Sequence, residues 1–313
     1  MSDSEFDIIS KYFTGAGWQM SDQVVLGPGD DCAILDVPTG EQLVVSTDSL
    51  VEGVHFPAGF NPGLIASRAL RVNLSDLAAM GAKPLACTLA LNLPAVDESW
   101  LSHFSRALQQ ETEMLEIPLT GGNIAQGPLT VTLQVLGTVE AGRAIRRDSA
   151  AIGDDVYVTG ALGEGAGGLI ALEQQLEAAE LIRAYASPAS RITTGRRLSG
   201  YASAAIDVSD GLVADLGHIA DASGLGAELL VKRIPVSETL RKLVGDEQAW
   251  ELALTGGDDY ELCFTAPTSL RKEILSRDFG VMVTRIGEMT SGQGIQFSPP
   301  DFTLKGKSGY QHF

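Results

Sequence analysis

Apolar side chains recur at helical intervals in the opening stretch, at Phe6, Ile9, Tyr12 and Phe13, and predict a helix over residues 5–13. GPGDDCAIL and EQLVVSTDSL then read as strands broken by tight turns at Gly27, Pro28, Gly29 and Gly40. Residues 62–80 return to a helical period that opens on Pro62 and stops before Gly81, the asymmetry expected of helix ends. PLACTLALNL is a near-continuous apolar run and predicts a buried strand. Residues 99–115 predict a second long helix, and LTVTLQVLGTV alternates as a half-buried strand should.

The texture changes over 140–153, where AGRAIRRDSAAIGD is polar and loop-like, and the domain boundary is placed there, giving segments 1–140 and 141–313. Beyond it DDVYVTG predicts a strand, 168–185 a helix in two pieces, and 191–201 another helix. SAAIDVSD predicts a strand running into the helix GLVADLGHIA, and AELLVKR, ETLRKLVG, YELCFTAP, SLRKEILS and VMVTRIGEM alternate strand and helix to the end. Strands lie both in hairpin-like runs and between helices. That predicts two α/β (α+β) halves, each a mixed sheet with flanking helices, over a single all-parallel sheet.

A length of 313 residues suits two domains, and 44% hydrophobic with 20% charged residues is enough to bury full cores. The net charge of -18 changes the picture more. A surface this negative repels nucleic acid and anionic membranes, and no Lys/Arg run relieves it, so neither is an expected partner. An acidic chain that binds phosphate esters needs a cation in between, and Mg²⁺ is the usual one. Cys32, Cys87 and Cys263 are scattered, which predicts reduced thiols in the cytoplasm with neither a disulfide framework nor a zinc site. The start MSDSEFDIISKYF has no basic or apolar leader pattern, and no run reaches ~18 apolar residues, so a signal peptide and a membrane span are not expected.

Candidate chemistry concentrates in acidic residues at strand-to-turn junctions beside glycine. Asp30 and Asp31 lie in GPGDDC, Thr47 and Asp48 in VVSTDSL, and Asp76 in VNLSDLAAMGAKP. Asp207, Ser209 and Asp210 lie in IDVSDGL, and Asp258 and Asp259 in TGGDDYEL. Each cluster alone reads more readily as turn and cap chemistry, and Asp215 and Asp221 are assigned to helix surface or capping. Five clusters on an acidic chain favour Mg²⁺ sites, because Mg²⁺ takes one or two carboxylates and completes its shell with water and phosphate.

Two phosphate motifs compete. Gly306-Lys307-Ser308 lacks the earlier glycine and the strand–loop–helix context of a P-loop. Residues 163–168, GEGAGG, do satisfy G-x-G-x-x-G after a strand and before a helix, and make a nucleotide-binding oxidoreductase the rival from another class. Glu164 puts a negative charge where a pyrophosphate would lie, and a Gly-rich strand-to-helix turn accounts for the motif better. His103 reads as a structural or exposed helix residue, His218 as a packing residue, and His55, after an acidic strand end, as a functional candidate. Arg146 and Arg147 supply a guanidinium pair suited to a nucleotide phosphate. The closing aromatics Phe302, Tyr310 and Phe313 suit either a heterocycle or the core.

Together GPGDDCAIL, STDSLVEGVHF, VNLSDLAAMGAKP, LTGGNIAQGPLTVT, AIDVSDGLVADLGHIADASG, LTGGDDYELCFT and GYQHF resemble the thiamine-monophosphate kinase family of the aminoimidazole ribonucleotide synthetase superfamily, over nearly the whole chain. The resemblance implies ATP-dependent phosphorylation of thiamine monophosphate to thiamine diphosphate by direct in-line transfer. It implies Mg²⁺ ligands at Asp30, Ser46, Thr47, Asp48, Asp76, Asn123, Asp207 and Asp210, with Asp30, Asp48, Asp76 and Asp210 as the catalytic carboxylates. It implies ATP contacts at Gly122, Asn123, Arg147 and Ser209, and thiamine monophosphate contacts at His55, Asp258 and Tyr310. It also implies a homodimer formed through an ATP- and Mg²⁺-binding N-terminal domain, with the C-terminal domain completing the active site. Three positions depart from the family pattern: Asn123 for the usual Asp, Asp258 for a common Glu, and Tyr310 for a frequent Trp. A synthetase of the same superfamily that activates an amide or carbamoyl oxygen is the nearest alternative, and a catalytically decayed thiamine- or nucleotide-binding regulator a remoter one.

Overall fold

The computed structural model describes residues 5–14, 21–300, 302–304 and 309–310. It divides into two compact units, Met1–Leu77 with Ala82–Ala141, and Ala78–Gly81 with Gly142–Phe313.

The first unit follows the order α1 (Glu5–Tyr12), β1 (Val24–Leu26), β2 (Ile34–Leu35), β3 (Glu41–Val51), α2 (Pro62–Ala79), β4 (Lys83–Leu93), α3 (Glu98–Met114), β5 (Leu119–Gln126) and β6 (Thr130–Glu140). Its main sheet has the order β3-β6-β4-β5, antiparallel except for the β4–β5 pair. The alternation of β6 shows which way it faces: Val131, Leu133, Val135 and Val139 are buried, while Gln134 between them is exposed. By register, Ser46 and Asp48 of β3 share the face that carries Val135 and Leu133 of β6 and meets α2 through Asp76 and Asn73. Val45 and Thr47 share the open face, opposite Leu136 and Gln134. Buried side chains along α2 (Ile65, Leu70, Leu74, Leu77) and α3 (Leu101, Phe104, Leu108) complete this core, and Asp97 caps α3 by accepting the Trp100 N–H.

The second unit continues with β7 (Asp155–Thr159), α4 (Glu164–Glu173), α5 (Ala179–Ala186), α6 (Ile192–Leu198), β8 (Ala204–Asp207), α7 (Leu212–Ser223), β9 (Gly226–Leu230), α8 (Glu238–Val244), α9 (Asp246–Thr255), β10 (Leu262–Ala266), α10 (Arg271–Ser276), β11 (Val283–Thr290) and β12 (Gly294–Ser298). The sheet order is β12-β9-β11-β7-β10-β8, antiparallel except for β12 beside β9. Its central strands β7 and β10 are buried along their whole length because both faces are covered. Val156, Val158 and Cys263 join Leu212, Leu216 and Ile219 on one side; Tyr157, Leu262 and Phe264 join Leu198 and Phe279 on the other.

Among the described residues four elements escape the hydrophobic pattern, β1, β5, α9 and β12, and the strand expected over GPGDDCAIL is mostly turn, with only Ile34–Leu35 extended as β2. β5 reads LTGGNIAQ, with two glycines where strand propensity should be highest. Gly122 is required there, since a Cβ would lie 1.9 Å from the Leu89 carbonyl oxygen of β4. The predicted helix over 168–185 begins earlier, at Glu164, and breaks after Glu173.

Candidate functional site

In the first unit the sequence brings an edge strand and a helix together through polar side chains. Ser46 donates its hydroxyl to the Asp76 carboxylate at 2.5 Å, and Asp48 donates its N–H to Asn73 Oδ1 at 2.9 Å. Asn73 and Asp76 lie one helical turn apart on α2, as residues three positions apart must. Burial, then the charge and the hydrogen bond of Asp76, push the Asp48 carboxyl up to about 6. Two carboxylates with a hydroxyl between neighbouring backbones, repelling each other when both ionise, make the donor set a hard divalent cation neutralises.

The remaining predicted ligands of this unit stand differently. Thr47 faces the open side of the sheet, where its hydroxyl accepts from Gln134 Nε2 at 3.3 Å, so its side chain is not gathered with Ser46 and Asp48. Asp30 lies in the exposed turn between β1 and β2 and accepts the Asp31 N–H at 2.8 Å. Gly122 and Asn123 lie on edge strand β5, where they line an apolar slot with Ile9, Phe13, Leu89 and Ile124. His55 Nδ1 accepts the Val51 N–H at 3.1 Å, which leaves the proton of the neutral ring on Nε2. The same loop contributes Glu52, Gly59 and Phe60 to a cavity of about 390 Å³ that Asp97 and Trp100 also line. Negative charge beside aromatic faces suits an organic cation.

In the second unit β8 delivers a buried Asp207 and leads into the turn Ser209–Asp210–Gly211 before α7. Asp215 governs that turn: its Oδ2 accepts the N–H groups of Ser209, Asp210 and Gly211 at 3.0, 3.0 and 3.1 Å. Of the two roles the sequence offers Asp215, helix surface or capping, the structure excludes the first, because the residue is only 2% exposed, and gives it the second in the form of a carboxylate that closes the turn before the helix. Burial pushes its carboxyl up to about 7, with the nearby Asp210 charge adding and the three N–H donors opposing. His218 is corrected, being exposed instead of packed. Its ring, Asp210 and Asp215 place ligand atoms within 4.8 Å of one another.

The TGGDDYEL segment docks on the same turn. Asp258 donates its N–H to the Ser209 carbonyl and Tyr260 its N–H to the Val208 carbonyl, both at 2.8 Å, while Tyr310 donates its N–H to the Asp210 carbonyl at 3.0 Å. Asp258, Tyr310 and Asp210 are thus gathered. Tyr260, which pattern reasoning passed over, joins them by donating its hydroxyl to Asp258 Oδ1 at 3.0 Å. Asp258 and Tyr260 hold left-handed φ values of 62° and 52°, strain that non-glycine residues keep where the surroundings enforce it. The only sequence signal for Tyr260 is its place two residues beyond Asp258.

The G-x-G-x-x-G turn has another purpose. The Asp259 carboxylate accepts the N–H groups of Gly163 and Gly165 at 2.7 and 3.1 Å, and burial pushes its carboxyl well above the usual range. A Cβ on Gly165 would lie 2.1 Å from the Asp258 carbonyl oxygen. The donors a pyrophosphate would use are occupied by the chain's own carboxylate, and the glycine serves close packing. That removes the dinucleotide reading. Arg146 pairs with Asp148 and holds its carboxyl below the usual range, while the neighbouring Arg147 is exposed and accepts the Ser223 hydroxyl at its carbonyl, 3.1 Å away.

Known proteins resemble the chain along its whole length. Residues 29–139 match the AIR synthase related protein N-terminal domain, and residues 151–298 match the corresponding C-terminal domain. The thiamine-monophosphate kinase of Salmonella typhimurium is 44% identical, over 100% of this chain and 99% of its own. Among solved structures, thiamine-monophosphate kinase from Stenotrophomonas maltophilia superposes with a TM-score of 0.84 at 43% identity, covering 88% of this chain and 92% of its own. AaThiL complexed with AMPPCP and TMP superposes with a TM-score of 0.80 at 30% identity, covering 98% and 96%.

Proposed function

The chain belongs to the thiamine-monophosphate kinases of the AIR synthase related protein family, and from that premise we propose that it transfers the γ-phosphoryl group of ATP to the phosphate of thiamine monophosphate, giving thiamine diphosphate. The observation that carries the reading is the Asp48–Asp76 pair with Ser46, a hard-cation donor set on a chain 44% identical to a kinase of this kind from end to end. That identity also argues against a synthetase that activates an amide.

Mg²⁺ fits the oxygen donors present. Ser46, Asp48 and Asp76 would hold it in the first unit and Asp207 and Asp210 in the second, with Asp30 and Asn123 as further oxygen donors; the Thr47 hydroxyl, on the other face of β3, is left out of the set. Bound Mg²⁺ supplies neutralisation of phosphate charge. The chain's own groups do the rest. Gly122, Asn123, Arg147 and Ser209 bind ATP, the Arg147 guanidinium as a fork for phosphate oxygens. Asp258 accepts from the exocyclic amine of the thiamine pyrimidine, Tyr260 fixes the carboxylate that does so, Tyr310 offers a stacking face, and His55 donates from Nε2. The attacking oxygen belongs to an already ionised phosphate, so no general base is needed and catalysis rests on alignment and charge.

In this reading the first unit carries dimerisation and contributes Gly122, Asn123 and His55, and the second contributes Arg147, Ser209, Asp258 and Tyr310. Dimerisation is supported by the open face of the first sheet, where Leu43 and Val45 are 44% and 52% exposed. A cytoplasmic setting is supported by three free cysteines, and no helix among the described residues is long and apolar enough to cross a membrane. The test is direct: purified protein with ATP, Mg²⁺ and thiamine monophosphate should form thiamine diphosphate, followed by chromatography, and should form none from free thiamine. Absence of product under saturating Mg²⁺ would overturn the reading and return Asn123, in place of an aspartate, as the mark of a binding protein.

A further inference from the structure

Asn73 sits in the middle of α2 with 0% exposure. A primary amide there is costly unless both of its ends are satisfied, and asparagine is a poor helix former besides. Both ends are satisfied. Its Oδ1 accepts the Asp48 N–H at 2.9 Å, and its Nδ2 donates to the Ala69 carbonyl one turn back at 2.8 Å.

The strand it grips needs gripping. Among the described residues β3 is an edge strand, paired with β6 alone, so alternate peptide groups along it face away from the sheet. The Asp48 N–H is one of these, and water would satisfy it as well. An edge N–H held by a fully buried amide therefore gains position more than stability. One turn along α2, Asp76 takes the Ser46 hydroxyl, so strand and helix are fastened at two points. These lie where the Asp48 and Asp76 carboxylates, once ionised, push the strand and the helix apart.

We infer that Asn73 is a positioning residue: it holds Asp48 on helix α2 against the repulsion of Asp76, so that both carboxylates are preset for one divalent cation. The inference rests on the reading of Asp48 and Asp76 as a cation-holding pair and adds the residue that keeps the pair in place. Asn73 touches neither phosphate nor metal in this account and acts through the backbone of Asp48.

The test uses Mn²⁺ as the probe, with binding to the full chain measured by electron paramagnetic resonance and the Mg²⁺ dependence of turnover measured beside it. Asp76→Asn should weaken Mn²⁺ binding in the first unit. Asn73→Leu and Asn73→Ala, which leave every carboxylate in place, should weaken it about 10- to 100-fold, as losing a group that orients a ligand does. The Mg²⁺ concentration for half-maximal rate should rise in proportion, with most of the rate recovered at saturating Mg²⁺. Asn73→Ala serves where the bulkier leucine fails to fold. Mn²⁺ affinity within about twofold of wild type in the folded Asn73 variants, whatever their Tm, would overturn the inference while leaving the pair intact. If Asp76→Asn also bound Mn²⁺ like wild type, the cation reading of the pair would fall and take the inference with it.

Discussion

Ser46 of strand β3 donates its hydroxyl to the Asp76 carboxylate of helix α2 at 2.5 Å, and two residues along the strand the Asp48 carboxyl is lifted to about 6, first by burial and then by Asp76. This contact links the fold of the first unit to its chemistry. The strand register that turns Ser46 and Asp48 toward α2 turns Thr47 and Val45 the other way.

The raised value fixes the sign of a pH effect. A carboxyl whose pKa is higher folded than unfolded holds its proton more tightly in the native state. Its contribution is therefore complete at low pH and is lost as pH rises from about 4 through about 6. In metal-free buffer, Asp48→Asn should gain Tm relative to wild type as pH is raised across that window. Saturating Mg²⁺ should shrink the difference by restoring the wild type. Thermal unfolding at a series of pH values with chelator reads this directly, and a Tm difference flat in pH would refute it.

Asp76→Asn keeps the hydrogen bond from Ser46 and removes one negative charge from the pair. Removing a strong electrostatic stabiliser of a charged transition state costs ~10²–10³ in turnover. Thiamine diphosphate formation by Asp76→Asn should fall by about that factor at low Mg²⁺, with Tm unchanged or raised through lost repulsion. Turnover near wild type would remove Asp76 from the catalytic set.

Much of this was readable in advance, and the rest was hidden for physical reasons. The periods of α3 and β6 are visible because each buries one face, α2 is visible by its bounds at Pro62 and Gly81 although it is buried nearly all round, and the acidic turns are visible because aspartate clusters beside glycine. Strand β5 is hidden because its glycines answer to the backbone of β4 and leave no apolar period. Asn73 stands three residues before Asp76 in the motif VNLSDLAAMGAKP, yet its partner is a backbone N–H 25 positions away, and only the placement of β3 beside α2 reveals it. The role of Asp215 is ambiguous in the sequence for the converse reason. An aspartate in the first turn of a helix ordinarily faces water, and nothing local says that three N–H groups of the preceding turn close over it.

Gly165 ties the G-x-G-x-x-G turn to the substrate segment. Alanine there brings a Cβ 2.1 Å from the Asp258 carbonyl oxygen, a contact only backbone movement can relieve, and overpacking of this kind costs about 1–3 kcal/mol. Gly165→Ala should lower Tm and raise the KM for thiamine monophosphate more than that for ATP, because Asp258 moves first. A raised KM for ATP alone would favour nucleotide binding at this turn, contrary to the use Asp259 makes of its N–H groups.

The open face of the first sheet predicts assembly. Val45 is 52% exposed at mid-strand, opposite Leu136 in the register with β6, and Leu43 lies two residues along on the same face. Exposed β-branched and leucine side chains on one patch of a sheet mark a surface that another protein covers, and a second copy of this chain is the occupant proposed. In a twofold dimer, Val45→Asp would place one unpaired charge per protomer in that interface. Burying it costs several kcal/mol, and ~3 kcal/mol weakens association about 100-fold. Sedimentation of Val45→Asp should shift from two chains toward one at micromolar concentration, with the circular dichroism of the fold retained because the side chain is not in the core. Met282→Asp, at an apolar side chain 63% exposed in the other unit, is the control and should sediment as wild type. A Val45→Asp protein that remains dimeric would place the subunit interface elsewhere and leave Leu43 and Val45 as ordinary exposed strand residues.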